Sequence, residues 1–177
     1  MPAKPQPAEF ERVILPHLDA AFNLARWLTR SDQDAQDVVQ EACLRAFKFF
    51  DGFRGGDARA WLLMIVRNTC YTWLRQNRHY NQVALGETET LDVECECEDP
   101  ADLVQMSVDR QALQQALEDL PVEFREVIVL RELEALSYKE IAYIAHLPIG
   151  TVMSRLARAR RLLEQSLARD MDQGGTT

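Results

Sequence analysis

Apolar residues recur at intervals of three and four along most of the chain, and no useful stretch alternates apolar with polar residues, so the pattern predicts helices and no sheet. The first predicted helix runs from about Ala8 to Thr29, with Phe10, Val13, Ile14, Leu18, Ala21, Phe22, Ala25 and Leu28 along one side. Pro16 lies inside it. Its ring fixes φ and it has no amide hydrogen to donate, so a bend or break is expected there. Ser31 stands where an N-cap belongs, with Asp32 and Asp34 in the first turn, where the helix dipole favours negative charge. The helix it opens is expected to bury Ala35, Val38, Val39, Ala42, Ala46, Phe47 and Phe50. Its outer face carries Asp37, Gln40, Glu41, Leu44, Arg45 and Lys48.

Glycines in the stretch from Asp51 to Asp57 interrupt the helical pattern and predict a turn presenting Phe53 and Arg54. A third helix, from about Ala58 to Arg78, combines Trp61, Tyr71 and Trp73 with Arg59, Arg67, Arg75 and Arg78. Trp61 and Trp73 are read mainly as packing residues, because aromatics at helical spacing more often fill a core than bind a ligand. Periodicity then stops until Pro100. Beyond it, helices are predicted from about Pro100 to Asp119, Pro121 to Leu133, Tyr138 to Ala145 and Gly150 to Ala168.

Charge sharpens the division. The 177 residues carry a formal net charge of -8, yet nine acidic residues and no Lys or Arg fall between Gly86 and Asp109. The remainder is nearly balanced, so the total says little about local potential. The acidic stretch has few apolar anchors and reads as a flexible linker between two helical units. No apolar run is long enough to span a membrane, and the start lacks the hydrophobic segment of a signal peptide, so a cytoplasmic protein is expected. Cys43 and Cys70 read as core residues. Cys95 and Cys97 form a Cys-Glu-Cys step that could hold a soft metal or sense oxidants, but with no nearby His it offers too few ligands for zinc, and a solvated linker with two thiols fits as well. No metal or other cofactor is expected.

The most informative motif begins at Leu136. Ser137 and Glu140 stand in capping-box register, and Ile141, Ala142 and Ala145 give a short helix its buried side. Pro148 and Gly150 break the chain, and a helix opening at Thr151 buries Val152, Leu156 and Leu163 while exposing Met153, Ser154, Arg155, Arg158, Arg160 and Arg161. This predicts a helix-turn-helix whose second helix meets base edges through its first residues and phosphates through the arginines that follow. An arginine-rich solvated surface on a structural hairpin is the plainer alternative.

The N-terminal half narrows the choice. Asp37-Val38-Val39-Gln40-Glu41-Ala42, Phe53-Arg54-Gly55, Trp61-Leu62 and Arg67-Asn68-Thr69 resemble the second conserved region of extracytoplasmic-function (ECF) sigma factors, of the sigma-70 family. The stretch from Pro148 to Leu156, with Arg158-Ala159-Arg160, is similar to their fourth region. The resemblance implies an all-α protein of two small helical domains joined by a flexible acidic linker: region 2 over residues 8–80, linker over 81–109, and a region 4 helix-turn-helix over 110–169. It implies that Asp37, Gln40, Glu41 and Leu44 dock on the beta-prime clamp helices of core RNA polymerase. Phe53, Arg54, Arg67, Asn68, Arg75 and Arg78 would contact the melted minus-10 element. Thr151, Met153, Ser154, Arg155, Arg158 and Arg161 would contact the minus-35 element, and the beta flap is a further polymerase contact. Family members often have a basic residue where Met153 stands and a bulky one at Ala157, which implies fewer polar base contacts here. An anti-sigma factor is the implied inhibitor, and could hold the protein at the inner membrane without any insertion of its own.

Plainer readings accompany these assignments. Asp37 and Glu41 could simply solubilise their helix, Phe53 could be a core plug, and the linker could be a bland tether in place of a strand threading the polymerase cleft. A helix-turn-helix regulator acting without polymerase would need a dimer interface or effector domain, and neither is evident. A decoy that titrates an anti-sigma factor would need a receiver domain, which does not fit. An enzyme is least expected: His17, His79 and His146 fall in separate elements with no arranged nucleophile or phosphate-binding loop.

Overall fold

The computed structural model of the protein describes residues 7–77 and 100–174. Arg78, His79, Cys95, Cys97 and the linker as far as residue 99 lie outside those residues. Among the described residues every regular element is helical.

Helix α1 (Pro7–Ile14) and α2 (Leu18–Thr29) are separated by a single 3-10 turn, Leu15–His17, so the chain breaks at Pro16 as its chemistry requires. Arg30 takes the left-handed conformation that ends α2, with φ 62° and its amide on the Arg26 carbonyl. Ser31 then caps α3 (Asp32–Phe49) by accepting a hydrogen bond from the Asp34 amide, and Arg26 pairs with Asp32 at 2.6 Å across the corner. A 3-10 turn, Phe50–Gly52, leads into the glycine-containing loop, where Gly55 and Gly56 have φ of 82° and 105°. Asp57 ends that loop as the N-cap of α4 (Ala58–Gln76), accepting from the Ala60 amide at 3.0 Å.

Helices α2, α3 and α4 enclose Leu24, Leu28, Val38, Leu62, Leu63 and Val66. Three expected core positions differ. Val39 is only half-buried. Phe47 is 38% exposed, because α1 is short and reaches it with one ring, the edge-on Phe10 at 5.2 Å. Cys43 is half-buried, whereas Cys70 is fully enclosed.

The second half begins with α5 (Pro100–Asp119), so the last part of the acidic stretch is helical. Helix α6 (Val122–Ile128) continues into a π turn, Val129–Leu133, closed by the Glu134 amide on the Val129 carbonyl at 3.0 Å. Helix α7 (Tyr138–Ala145) opens with the full capping box of Ser137 and Glu140. It ends at His146 in the left-handed region, and α8 (Ile149–Gly174) follows with the Thr151 and Val152 amides on the Pro148 carbonyl. Leu130, Leu136, Ile141, Ile144, Val152 and Leu156 form the core here. Ile144 replaces the expected Ala142, which is half-buried like Leu163. The halves touch: α4 packs against α7 and α2 against α6.

Candidate polymerase and promoter interfaces

The capped start of α3 holds its outer face in register. Asp37, Gln40, Glu41 and Leu44 all lie exposed on it, Leu44 at 63%. Glu41 accepts from Arg45 Nε at 2.8 Å one turn on. Asp37 and Glu41 line one wall of a shallow groove of about 310 Å³, whose other wall is the Thr69, Thr72 and Trp73 side of α4. The face therefore offers two carboxylates, an amide and an apolar anchor together, which suits a basic helical partner.

The residues expected at the minus-10 element fall into two clusters. Phe53 stacks on Phe50 at 6.0 Å and lies 5.0 Å from Trp61, so its ring is half-buried and partly acts as the plug weighed above, while Arg54 is exposed on the turn. Arg67 and Asn68 lie further along α4; six residues separate Trp61 from Arg67, about 9 Å of helix rise. Arg75 is exposed near the end of α4, 3.5 Å from Thr72 Oγ1.

Arg67 is engaged with the other half of the molecule. Its Nε donates to Glu126 Oε1 at 2.7 Å, and its guanidinium lies 4.0 Å from the centre of the Tyr71 ring. Tyr71 donates its hydroxyl to the second carboxylate oxygen of Glu126. Burial opposes the Arg67 charge, but the hydrogen bond and the charge of Glu126 more than offset it, and the pKa lies above its ordinary value. Burial first, and then Glu126, push the Tyr71 hydroxyl up as well, which keeps it a donor. The Asn68 amide lies 3.4 Å from His146 Nε2.

On the helix-turn-helix, Thr151 is half-buried at the start of α8, Met153 is 48% exposed, and Ser154 donates back to the Thr151 carbonyl at 3.0 Å. Arg155 is half-buried and Arg161 exposed. Arg158 packs 5.4 Å from the centre of the Phe124 ring, and Arg160 pairs with Glu132 at 2.6 Å. The cationic face is thus partly tied to the helices behind it, while Met153 and Ser154 stay presented.

Both halves match known families. Residues 13–80 match sigma-70 region 2, and residues 110–163 match sigma-70 region 4. The ECF RNA polymerase sigma-E factor of Escherichia coli is 38% identical over 141 residues, covering 76% of this chain and 74% of that protein. The chain is an ECF sigma factor of the sigma-70 family. The ECF sigma factor SigE of Mycolicibacterium smegmatis is 32% identical over 160 residues, which cover 90% of the chain but 62% of that longer protein. Among solved structures, the sigma factor RpoE from Bartonella quintana, in complex with the anti-sigma factor NepR, aligns with TM-score 0.71 and 30% identity over 90% of this sigma factor and 97% of that chain. CnrH, solved with the cytosolic domain of CnrY, shares the fold at TM-score 0.66 and 24% identity, over 96% and 94% of the two chains. Sigma factors are DNA-binding initiation factors and not enzymes.

Sequence reasoning missed Asn23, Arg59, Arg125, Glu126 and Glu134 as contacts between the halves. A signal existed: Arg125 and Glu126 sit between Phe124 and the apolar run Val127–Leu130, and charges wedged among such residues need buried partners.

Proposed function

We propose that this sigma factor binds core RNA polymerase through the outer face of α3, reads the minus-35 element with α8, and holds the melted minus-10 strand along α4 and the turn before it. The domains are then region 2 over 8–80, the linker over 81–109 and region 4 over 110–169. The observation that carries the reading is the occurrence on one chain of two sigma-70 regions in order, the first exposing an acidic and apolar face and the second a capped helix-turn-helix. Asp37, Gln40, Glu41 and Leu44 serve the polymerase clamp. Phe53, Arg54, Arg67, Asn68, Arg75 and Arg78 serve the minus-10 strand, and Thr151, Met153, Ser154, Arg155, Arg158 and Arg161 serve the minus-35 duplex.

Strand capture needs stacking surfaces and cations together, and α4 with its leading turn supplies both. An anti-sigma factor is the proposed inhibitor, as in the complex of the Bartonella relative. The site of action is the cytoplasm, and a membrane-anchored inhibitor would hold the protein at the inner membrane. No helix among the described residues is long and apolar enough to cross a membrane.

Run-off transcription by purified core polymerase, on DNA from upstream of the protein's own operon, tests the proposal. Specific transcripts should require the protein, and Phe53→Ala with Asn68→Ala should abolish them. Initiation that is equal without the protein, or unchanged by the double substitution, would contradict it.

A further inference from the structure

The front of α8 is apolar where it begins. Ile149 is 41% exposed, Met153 is 48% exposed, and Ala157 is exposed one turn further on, so residues spaced by four form a row along the helix. Val152, Leu156 and Ala159 make up the buried side, so packing against the rest of the molecule does not account for that row. Gly150 and Ser154 are the other exposed positions between Ile149 and Ala157. The Ser154 hydroxyl donates to the Thr151 carbonyl at 3.0 Å, which leaves its oxygen as an acceptor. The cations stand elsewhere. Arg155 is half-buried, Arg158 lies 5.4 Å from the centre of the Phe124 ring, Arg160 pairs with Glu132, and Arg161 is exposed a turn beyond Ala157.

Each base offers the major groove a different group, and each is met by a different side chain. Guanine takes a forked cation, adenine an amide, cytosine a carboxylate, and the C5-methyl of thymine an apolar surface. Of these, the exposed start of α8 supplies the last. We infer that Met153 and Ala157, with Ile149 at the edge of the row, read the minus-35 element through thymine methyl groups. The inference deepens the proposed function and rests on its assignment of α8 to the minus-35 duplex. Met153 and Ala157 stand about 6 Å apart along the helix axis, so they meet neighbouring base pairs. The flexible thioether of Met153 adapts to the methyl it covers, while the small Ala157 lets the backbone come close. Ser154, as an acceptor, suits an adenine amino group beside them. Arg155, Arg158 and Arg161 hold phosphates, which fixes the helix in the groove without selecting a sequence.

The test uses the protein bound to core polymerase, on promoter DNA from upstream of its own operon. Thymines on both strands of the minus-35 element are replaced one at a time by deoxyuridine, which keeps base pairing and removes only the methyl group. Competition binding reads the affinity of the complex. Replacement at the contacted positions should weaken binding about 3- to 5-fold each, the effect of returning one methyl group to water. Met153→Ala should weaken binding to the ordinary element and erase the sensitivity at one of those positions. Arg161→Ala, a phosphate contact, should weaken ordinary and substituted DNA equally. Circular dichroism checks that both variants remain folded. Full affinity with every thymine replaced, or a sensitivity that Met153→Ala leaves intact, overturns the methyl reading, and continued weakening by Arg161→Ala then leaves the assignment of α8 standing. An affinity that neither substitution changes overturns that assignment, and the inference falls with it.

Discussion

Leu24, Leu28, Leu62, Leu63 and Val66 fill the centre of region 2 with hydrocarbon, whereas region 4 packs Leu130, Ile141 and Leu156 and also encloses Arg125, Glu126 and Glu134. The buried polar residues of region 2 are Thr29 and Thr69, and each donates its hydroxyl to a carbonyl of its own helix, Ala25 and Ile65. The buried charges of region 4 behave differently. Arg125, 5% exposed, donates to the Leu117, Glu118 and Leu120 carbonyls at the end of α5, but also to Trp27 in the other half. Burial, and then the charge of Arg30, lower its pKa to about 10. Among the described residues, region 2 thus encloses no charge of its own, although Asn23, Arg59, Arg67 and Tyr71 bond to the carboxylates of region 4. Region 4 satisfies part of its interior with groups borrowed from its neighbour, and the apolar cluster takes in residues of both halves.

Core truncation should strike hardest. Leu63→Ala is expected to cost about 2–5 kcal/mol, and Leu156→Ala a similar amount, read by urea denaturation. Following Trp27, Trp61 and Trp73 fluorescence sharpens the comparison, because all three indoles lie in region 2. Leu63→Ala should move that signal much more than Leu156→Ala does. Equal shifts would mean that the halves unfold as one unit.

Next in size is Arg125→Met, which keeps the apolar stem but strands carbonyls at the end of α5. A loss of about 2–3 kcal/mol is expected by denaturation, with faster hydrogen exchange in α5 and α6. Ser137→Ala removes one arm of the capping box on α7 and should cost about 1 kcal/mol, seen in the same denaturation experiment. Smallest is Glu132→Gln. Its pair with Arg160 is half exposed to water, so the change should stay below about 0.5 kcal/mol and shrink further at high salt. A large effect there would show that exposed and enclosed charges in region 4 do not differ as argued.

Much of this was legible in the chain. The break at Pro16, the caps at Ser31 and Ser137, the glycine turn and the helix-turn-helix are set by local chemistry, in which neighbours a few residues apart decide the conformation. The outer face of α3 was legible for the same reason, since helical periodicity alone sorts Asp37, Gln40, Glu41 and Leu44 to one side. What periodicity does not carry is contact between distant segments. Arg67 looked like a free cation along α4 because Glu126, its partner, is 59 residues away. Phe47 looked buried because the stripe predicts a face but not the length of the helix that covers it. The division of the minus-10 residues into two clusters likewise depends on where the Phe53 ring settles, which is decided by Phe50 and Trp61 together.

A sigma factor directs polymerase to promoter DNA and helps to open it. Footprinting of a promoter with core polymerase and the protein, combined with permanganate probing of unpaired thymines, tests that most directly. Protection is expected at both the minus-35 and minus-10 elements, with permanganate-reactive thymines at the latter, all lost when either polymerase or the protein is left out. The same protection of duplex DNA by the protein alone, with no reactive thymines when polymerase is added, would contradict it.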